Sequence, residues 1–391
     1  MPAIYLDANA STPLDPEVLD AMLPFLRDHF GNATSGHARG QVLNAAMETA
    51  RGHVADLLGC LPDEIYFTSG GSESNNLIVK GVAGAGAASP GQGRHMVISA
   101  VEHPSVVHAA LSLEAAGWRI TQLGVRPDGR VDPAAAAAAV TPDTMLVSVI
   151  LAQNETGTLQ PIRGISEAIG RSRTLFHSDA AQAIGKIRVK VQDLGVDLLS
   201  LAAHKFYGPW GIGAVYARRG TALAPLIHGA GHERGLRSGT PNVSAIVGLG
   251  EAARLANARV SAEAAKLAAL RDRLWLKLEQ AGGVVRHGHP DECLPNTLNV
   301  GFEGVFGADI VAAAADVQCS TGSACHSGSR ELSGVLAAMG VSPATGLGAL
   351  RLSLCRTTTE SEIDESAAIL LRAVLTLREE ARPKAAGGMT A

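Results

Sequence analysis

Two residues that follow predicted strands are of the types that bind an aldehyde-containing cofactor. Asp179 ends the apolar segment 175–178, and Lys205 comes shortly after the apolar segment 198–201. Side chains at the carboxyl ends of parallel strands face the ligand crevice of an open α/β sheet. There a lysine can bond covalently to an aldehyde, while a carboxylate keeps a pyridine nitrogen protonated. Taken singly, the alternatives are a helix cap for Asp179 and a surface charge for Lys205.

A turn rich in glycine and serine could bind a phosphate group of the same cofactor. Residues 69–72, Ser-Gly-Gly-Ser, follow a predicted strand at 64–68 and precede a predicted helix at 74–82. Free backbone N–H groups and the helix dipole suit a phosphate at such a place. The run is neither a Walker A loop nor G-x-G-x-x-G, so an ordinary N-capped helix is the alternative. Together the turn, Asp179 and Lys205 fit one ligand, pyridoxal 5′-phosphate.

Three further residues could act on a ligand held there. His103 follows the predicted strand at 96–100 and could stack on a flat ring or shuttle protons; a satisfied structural histidine is the alternative. Arg351 lies in a predicted strand at 350–354 and could bind both oxygens of a carboxylate; a surface arginine is the alternative. Cys325 lies among small polar residues beside a histidine, and a mobile loop that carries it into a cationic site would make it a nucleophile.

The composition excludes several classes of protein. The 391 residues are 46% hydrophobic, which is enough for a large core and excludes global disorder. The net charge of −4 lacks the basic excess of a general nucleic-acid binder. No apolar run reaches the ~18 residues of a membrane span, and we see no secretory signal. We therefore expect a soluble, cytoplasmic protein. We expect no metal site, and four of the five cysteines are expected to be structural thiols: Cys60, Cys293, Cys319 and Cys355.

The order of apolar segments predicts an α/β fold with a mainly parallel sheet. Predicted strands at 64–68, 96–100, 145–152, 175–178 and 198–201 alternate with predicted helices at 74–82, 105–116 and 133–140. The Gly-, Ala-, Ser- and Pro-rich segment 81–93 predicts a loop. The segment 251–280 predicts one long helix with a domain boundary inside or just before it, and a strand is predicted at 297–302. Residues 383–391 predict a frayed tail.

In combination, these motifs resemble the cysteine desulfurases, fold-type I enzymes of the class V aminotransferase group. The likeness extends from residue 5 to residue 360, nearly the whole chain. Its motifs are Gly31-Asn32 with Ser35 and His37, residues 68–76, Glu102-His103, residues 153–157, residues 179–182, His204-Lys205, residues 237–240, and residues 322–325.

The resemblance implies a role for each candidate residue. It implies that Lys205, Cys325 and His103 are catalytic: Lys205 moves a proton, Cys325 takes the substrate sulfur as a persulfide, and His103 stacks on the cofactor ring. It implies that Asn32 and Arg351 bind the substrate carboxylate. The residues implied to hold pyridoxal 5′-phosphate are Gly71, Ser72, His103, Asn154, Asp179, Gln182, His204, Lys205 and, from a second subunit, Thr240.

The same resemblance implies the wider organisation of the protein. A large cofactor-binding domain would span residues 15–257, and a smaller α+β domain carrying the cysteine loop would combine residues 1–14 and 258–391. L-cysteine, a second copy of the chain and a sulfur-acceptor protein would be the partners. The sulfur would serve iron–sulfur cluster assembly or thio-modification.

Two positions depart from the family pattern. Ala202 stands where many relatives have a serine that helps to hold phosphate, and Trp210 stands where a lysine is common. Ala202 and the residues around Cys325 and Arg351 make this sequence resemble those of selenocysteine lyases. These enzymes share the fold and the cofactor. Selenocysteine lyase is therefore the second hypothesis. The third is an inactive scaffold of the same fold, against which the intact Lys205 and Asp179 argue.

Overall fold

The computed structural model describes residues 3–87, 93–170, 173–321 and 331–381, so the predicted frayed tail lies outside the described residues. The helices are α1 Pro16–Arg27, α2 Ala38–Leu58, α3 Gly71–Ala87, α4 Pro104–Leu111, α5 Pro133–Ala139, α6 Ile162–Ile169, α7 Val191–Leu194, α8 Val243–Leu278, α9 Gly307–Ala313, α10 Gly334–Ala338, α11 Pro343–Gly346 and α12 Glu360–Glu380. The strands are β1 Ile4–Tyr5, β2 Ile65–Thr68, β3 His95–Ser99, β4 Arg119–Leu123, β5 Thr144–Ser148, β6 Leu175–Asp179, β7 Leu198–Ala202, β8 Gly213–Ala217, β9 Val284–His287, β10 Thr297–Phe302, β11 Val317–Gln318 and β12 Ala349–Ser353. None of these helices is both long and apolar enough to cross a membrane.

The main sheet of the described residues has seven strands in the order β2-β8-β7-β6-β5-β3-β4. Strand β8 is antiparallel to both of its neighbours, and the other six strands share one direction. The predicted α/β fold with a mainly parallel sheet is therefore confirmed. The strands are confirmed too, although β5 ends at Ser148, earlier than the predicted 152.

Both faces of this sheet are buried, because successive side chains of a strand point to opposite faces. On one face, Val97, Val147 and Leu199 share an apolar cluster with residues of α2 and α8. On the other face, Met96 and Leu198 share a separate cluster with residues of α3 and α4. Helices on both sides thus leave the ends of the strands as the accessible part of the sheet.

A smaller antiparallel sheet, β12-β10-β9, and the parallel pair β1-β11 lie beside a second apolar cluster. This cluster joins the N-terminal Ile4 and Leu6 to residues of α8, β10, β12 and α12. Helix α8 contributes to both cores, up to Ala256 in the first and from Leu267 in the second. The division into domains at 14/15 and 257/258 stays a prediction.

The predicted loop at 81–93 is wrong over residues 81–87, because α3 continues to Ala87, and residues 88–92 lie outside the described residues. Its glycines allow close packing here. A Cβ atom on Gly81 would lie 2.9 Å from the carbonyl oxygen of Ala224, whose N–H donates to the Gly81 carbonyl at 2.9 Å. Two helices also differ in length from their predictions. Helix α4 ends at Leu111 and is followed by a separate 3-10 turn, and α8 begins at Val243, about two turns before the predicted 251.

Candidate active site

A cavity of about 310 Å³ lies where the parallel strands of the main sheet end. Strand β6 ends at Asp179, and Lys205 follows the end of β7 by three residues. The structure brings nine of the predicted site residues together in its lining: Gly71, Ser72, His103, Asn154, Asp179, Gln182, His204, Lys205 and Arg351. Because the carboxyl ends of neighbouring parallel strands meet at one edge, residues far apart in sequence converge there.

Asp179 is a buried carboxylate held by two hydrogen bonds. Its Oδ1 accepts from the backbone N–H of Ala181 at 2.9 Å, and its Oδ2 accepts from Nδ2 of Asn75 at 2.7 Å. The same Asn75 amide donates to Oγ of Ser105 at 2.8 Å, and Ser105 in turn contacts Nδ1 of His103 at 2.7 Å. Asp179 and His103 are thus oriented by one network. Sequence reasoning assigned no role to Asn75 or Ser105, although Asn75 lies inside a motif that it singled out.

His103 is the N-cap of α4, and its ring is neutral at neutral pH. Burial lowers the pKa of His103, as does the nearby Lys205, against the opposing effect of Asp179. The N–H of Ser105 donates to Nδ1 of His103 at 3.2 Å, so Nδ1 is an acceptor and the ring proton lies on Nε2. The Ser105 hydroxyl accepts from Asn75 and can therefore donate to the same Nδ1.

Lys205 lies in the 3-10 turn Ala203–Lys205 and is half-buried. Its Nζ donates to the carbonyl oxygens of Asn9 at 2.7 Å and Ala10 at 2.9 Å. Burial, followed by repulsion from Arg351, lowers the pKa of Lys205 to about 8, with Asp179 opposing the shift. The lowered pKa increases the share of the neutral amine at neutral pH, which is the nucleophilic form.

The N-terminus of α3 provides free N–H groups at the cavity. The first N–H groups of a helix have no acceptor inside the helix, and Gly71 and Ser72 carry them here. A Cβ atom on Gly71 would lie 3.4 Å from Cβ of Ala202, so the glycine leaves this end of the cavity open. His204 lines the cavity as well, and burial with the charges of Lys205 and Lys186 lowers its pKa to about 4.

Arg351 enters the cavity from β12 of the smaller sheet. One terminal nitrogen donates to Oδ1 of Asp7 at 2.7 Å, and the other donates to the carbonyl oxygen of Asn154 at 3.3 Å. Its Nε is buried and has no hydrogen-bond partner among the described residues. Since a buried donor without an acceptor is unfavourable, Nε is suited to receive an acceptor from a ligand.

Two predicted site residues, Asn32 and Thr240, do not line this cavity. Asn32 is exposed on a loop, where its Oδ1 accepts from the N–H of Thr34 at 3.0 Å. Thr240 is exposed and lines a separate groove of about 220 Å³. Cys325 lies outside the described residues. The roles of all three stay predictions. The four cysteines expected to be structural are free, Cys293 and Cys355 being buried and Cys60 and Cys319 half-buried.

Comparison with known proteins identifies the family. The family model "Aminotransferase class-V" matches residues 4–365. A protein named cysteine desulfurase IscS from Anaeromyxobacter dehalogenans is 46% identical over 96% of this chain and 93% of its own length, and a rat cysteine desulfurase is 43% identical over 96% and 84%. A solved structure named NifS-like protein is 36% identical and superposes with a TM-score of 0.89, covering 96% of this chain and all of that one. The chain therefore belongs to the class V aminotransferase family, as its motifs predict.

Proposed function

We propose that the protein is a pyridoxal 5′-phosphate-dependent cysteine desulfurase that converts L-cysteine to L-alanine and transfers the sulfur to Cys325. The observation that carries the proposal is the meeting of the half-buried Lys205 with Asp179 and His103 in one cavity. Relatives that are 42–46% identical over 96% of the chain and named cysteine desulfurase support it.

The side chains of the cavity fit this cofactor. A phosphate group matches the free N–H groups of Gly71 and Ser72, and a pyridine nitrogen matches the carboxylate of Asp179. Lys205 offers the amine that an aldehyde needs. Three more residues would complete the binding site, namely His204 at the phosphate and Asn154 and Gln182 at the ring oxygen. When bound, the cofactor supplies an electron sink that weakens bonds at the substrate Cα and Cβ.

The chain's own groups orient the substrate and move its protons. Arg351 directs its free Nε at the substrate carboxylate, and Asn32 is proposed to bind the same carboxylate when the cysteine loop and a second subunit complete the site. The amine of Lys205, with its pKa near 8, takes the proton from the substrate Cα. With the cofactor bound, the neutral ring of His103 would cover one face of the cofactor ring and keep water from it.

Cys325 performs the sulfur transfer. Its thiolate attacks the substrate sulfur, so that a new S–S bond forms as the substrate C–S bond breaks. The electron pair of the C–S bond stays with carbon, which takes up a proton to give the methyl group of alanine. The thiol of Cys325 becomes a persulfide, and no external oxidant or reductant is consumed.

The test is alanine formation from L-cysteine and, in parallel, from L-selenocysteine, with the wild type and Cys325→Ala. We expect turnover of cysteine that the substitution abolishes, with a persulfide at Cys325 detected by mass spectrometry. Turnover of selenocysteine alone would make the protein a selenocysteine lyase. Wild-type protein that binds the cofactor but releases alanine from neither substrate would refute the proposal.

The protein is further proposed to be a cytoplasmic homodimer that hands its sulfur to an acceptor protein, such as an iron–sulfur scaffold. Support for the dimer comes from the exposed Thr240 and from the exposed leucines of α1, Leu19, Leu23 and Leu26, which share one face of the helix. Light scattering after size-exclusion chromatography tests it, and a monomer at micromolar concentration would contradict it. Transfer of ³⁵S from the loaded enzyme to a candidate scaffold tests the acceptor.

A further inference from the structure

Lys186 is a buried lysine to which the proposed reaction gives no task. It is 6% exposed and does not line the cavity. None of the ion pairs among the described residues includes it. Its Nζ donates to Oδ1 of Asn9 at 2.9 Å and to Oε1 of Gln182 at 2.5 Å. Burial, with repulsion from Lys205 and Arg351, lowers the pKa of Lys186 well below its usual value. A polar group at this depth must be hydrogen-bonded, so the residues that receive its bonds are informative.

Two hydrogen-bonding neighbours determine the orientation of the Gln182 amide. The Nζ of Lys186 donates to Oε1, so the carbonyl oxygen of the amide lies on the side of the lysine. On its other side, Nε2 of Gln182 donates to the backbone carbonyl oxygen of Asn9 at 2.9 Å, and a carbonyl oxygen only accepts. The carbonyl oxygen of Asn9 requires Nε2 on its own side, and the bond from Lys186 to Oε1 stabilises the same orientation.

The orientation of the amide determines which group Gln182 presents to the cavity that it lines. One N–H of Nε2 is engaged by Asn9 and Oε1 accepts from Lys186, so the second N–H of Nε2 is the donor that Gln182 retains for a ligand. The carbonyl of Asn9 that fixes Nε2 also accepts from Nζ of Lys205 at 2.7 Å. The donor at Gln182 and the amine at Lys205 are therefore placed relative to one another through a single backbone oxygen.

We propose that Lys186 is a positioning residue that holds the Gln182 amide with its N–H toward the cavity, so that the chain binds an anionic ring oxygen there. This inference rests on the proposed function, in which Gln182 binds the oxygen at ring position 3, and it adds the residue that orients the Gln182 amide toward that oxygen. Lys186 acts on the cofactor through Gln182 and does not touch it.

The test compares pyridoxal 5′-phosphate with its 3-deoxy analogue, which lacks that oxygen. Dissociation constants for both are measured by titration of the cofactor-free, full-length protein, for the wild type and Lys186→Met. The control is Lys190→Met, because Nζ of Lys190 donates to the carbonyl oxygens of Asp56 and Leu57, away from the cavity. We expect Lys186→Met to raise the dissociation constant of the parent cofactor by about tenfold. The dissociation constant of the analogue should change by less than about twofold. The control leaves both ligands unchanged.

Gln182→Glu is a second variant that keeps the lysine and gives it a carboxylate partner, so it serves if Lys186→Met does not fold. It presents only acceptor oxygens to the cavity, and the wild-type preference for the parent cofactor over the analogue should be lost. Adding Lys186→Met to it should change that preference no further, since both residues act through one group.

Equal weakening of both ligands by Lys186→Met, or no change in either, would overturn the inference and leave the proposed function standing. A wild-type protein that binds neither ligand would instead refute the proposed function. The two failures are therefore distinguishable in the same titrations.

Discussion

Glu102, which precedes His103, holds two strand ends of the site together as a neutral carboxyl group. Its Oε1 accepts from Oγ of Ser99 at 2.6 Å and from the backbone N–H of Ile150 at 2.6 Å. Its Oε2 is buried without a hydrogen-bond partner among the described residues. Burial raises the pKa of Glu102 from 4.5 to about 8, against the lowering effect of the bonds from Ser99 and Ile150. We predict that Glu102→Gln makes the protein more stable than the wild type as the pH rises.

The sign and size of the effect follow from proton linkage. Between pH 4.5 and about 8 the folded state holds the proton of Glu102 and the unfolded state does not. The free energy of unfolding of the wild type therefore contains a contribution that is complete below pH 4.5 and is lost as the pH rises through about 8, at about 1.4 kcal/mol per pH unit. Glutamine keeps the acceptor oxygen and has no proton to lose, so the difference between variant and wild type grows at that rate.

The assay is urea unfolding of the wild type, Glu102→Gln and Glu102→Ala at three pH values between about 5 and 8. The other titrating groups are common to all three proteins and cancel in the differences. Glu102→Ala is the control for the hydrogen bonds, because it leaves the N–H of Ile150 without an acceptor and should be roughly 2–4 kcal/mol less stable than Glu102→Gln at every pH. A difference between Glu102→Gln and wild type that is the same at all three pH values would refute the reasoning.

Three further predictions concern other parts of the molecule. Gly81→Ala places a Cβ atom 2.9 Å from a backbone oxygen and should lower the free energy of unfolding by about 1–3 kcal/mol. Gly52→Ala, in α2, places a Cβ atom with nothing within 4 Å and should raise the free energy of unfolding by about 0.5–1 kcal/mol. Equal free energies of unfolding of the two variants in urea would contradict this. Arg351→Lys should raise KM for cysteine at least about tenfold with a smaller change in kcat, because lysine cannot reproduce the planar donors; an unchanged KM would remove Arg351 from substrate binding. Lys205→Ala should lower alanine formation by about 10²–10⁴-fold and abolish the mass increase that borohydride reduction of the cofactor-loaded protein produces; a mass increase that persists would place the covalent bond on another lysine.

Local sequence patterns were sufficient to predict the chemistry of the cavity. Asp179 and Lys205 were found because each follows an apolar strand, and the edge of a parallel sheet brings such positions together whatever the rest of the chain does. The turn before α3 was found for a similar reason, since its small residues and the helix after it are adjacent in sequence. At Gly81 the glycine led to a wrong prediction of a loop, because glycine is found both in turns and where two segments pack closely. The sequence does not show that the segment around Ala224 packs against Gly81.

Only the tertiary structure shows the groups that orient those side chains. Asn75 holds Asp179 from 104 residues away, and Lys186 contacts Asn9 across 177 residues. Nothing in the types of these residues separates them from surface amides and lysines. Their function arises from burial, which removes water as the competing partner and makes each remaining hydrogen bond directional. The sequence by itself thus determined which groups could react, and the fold decided which way they face.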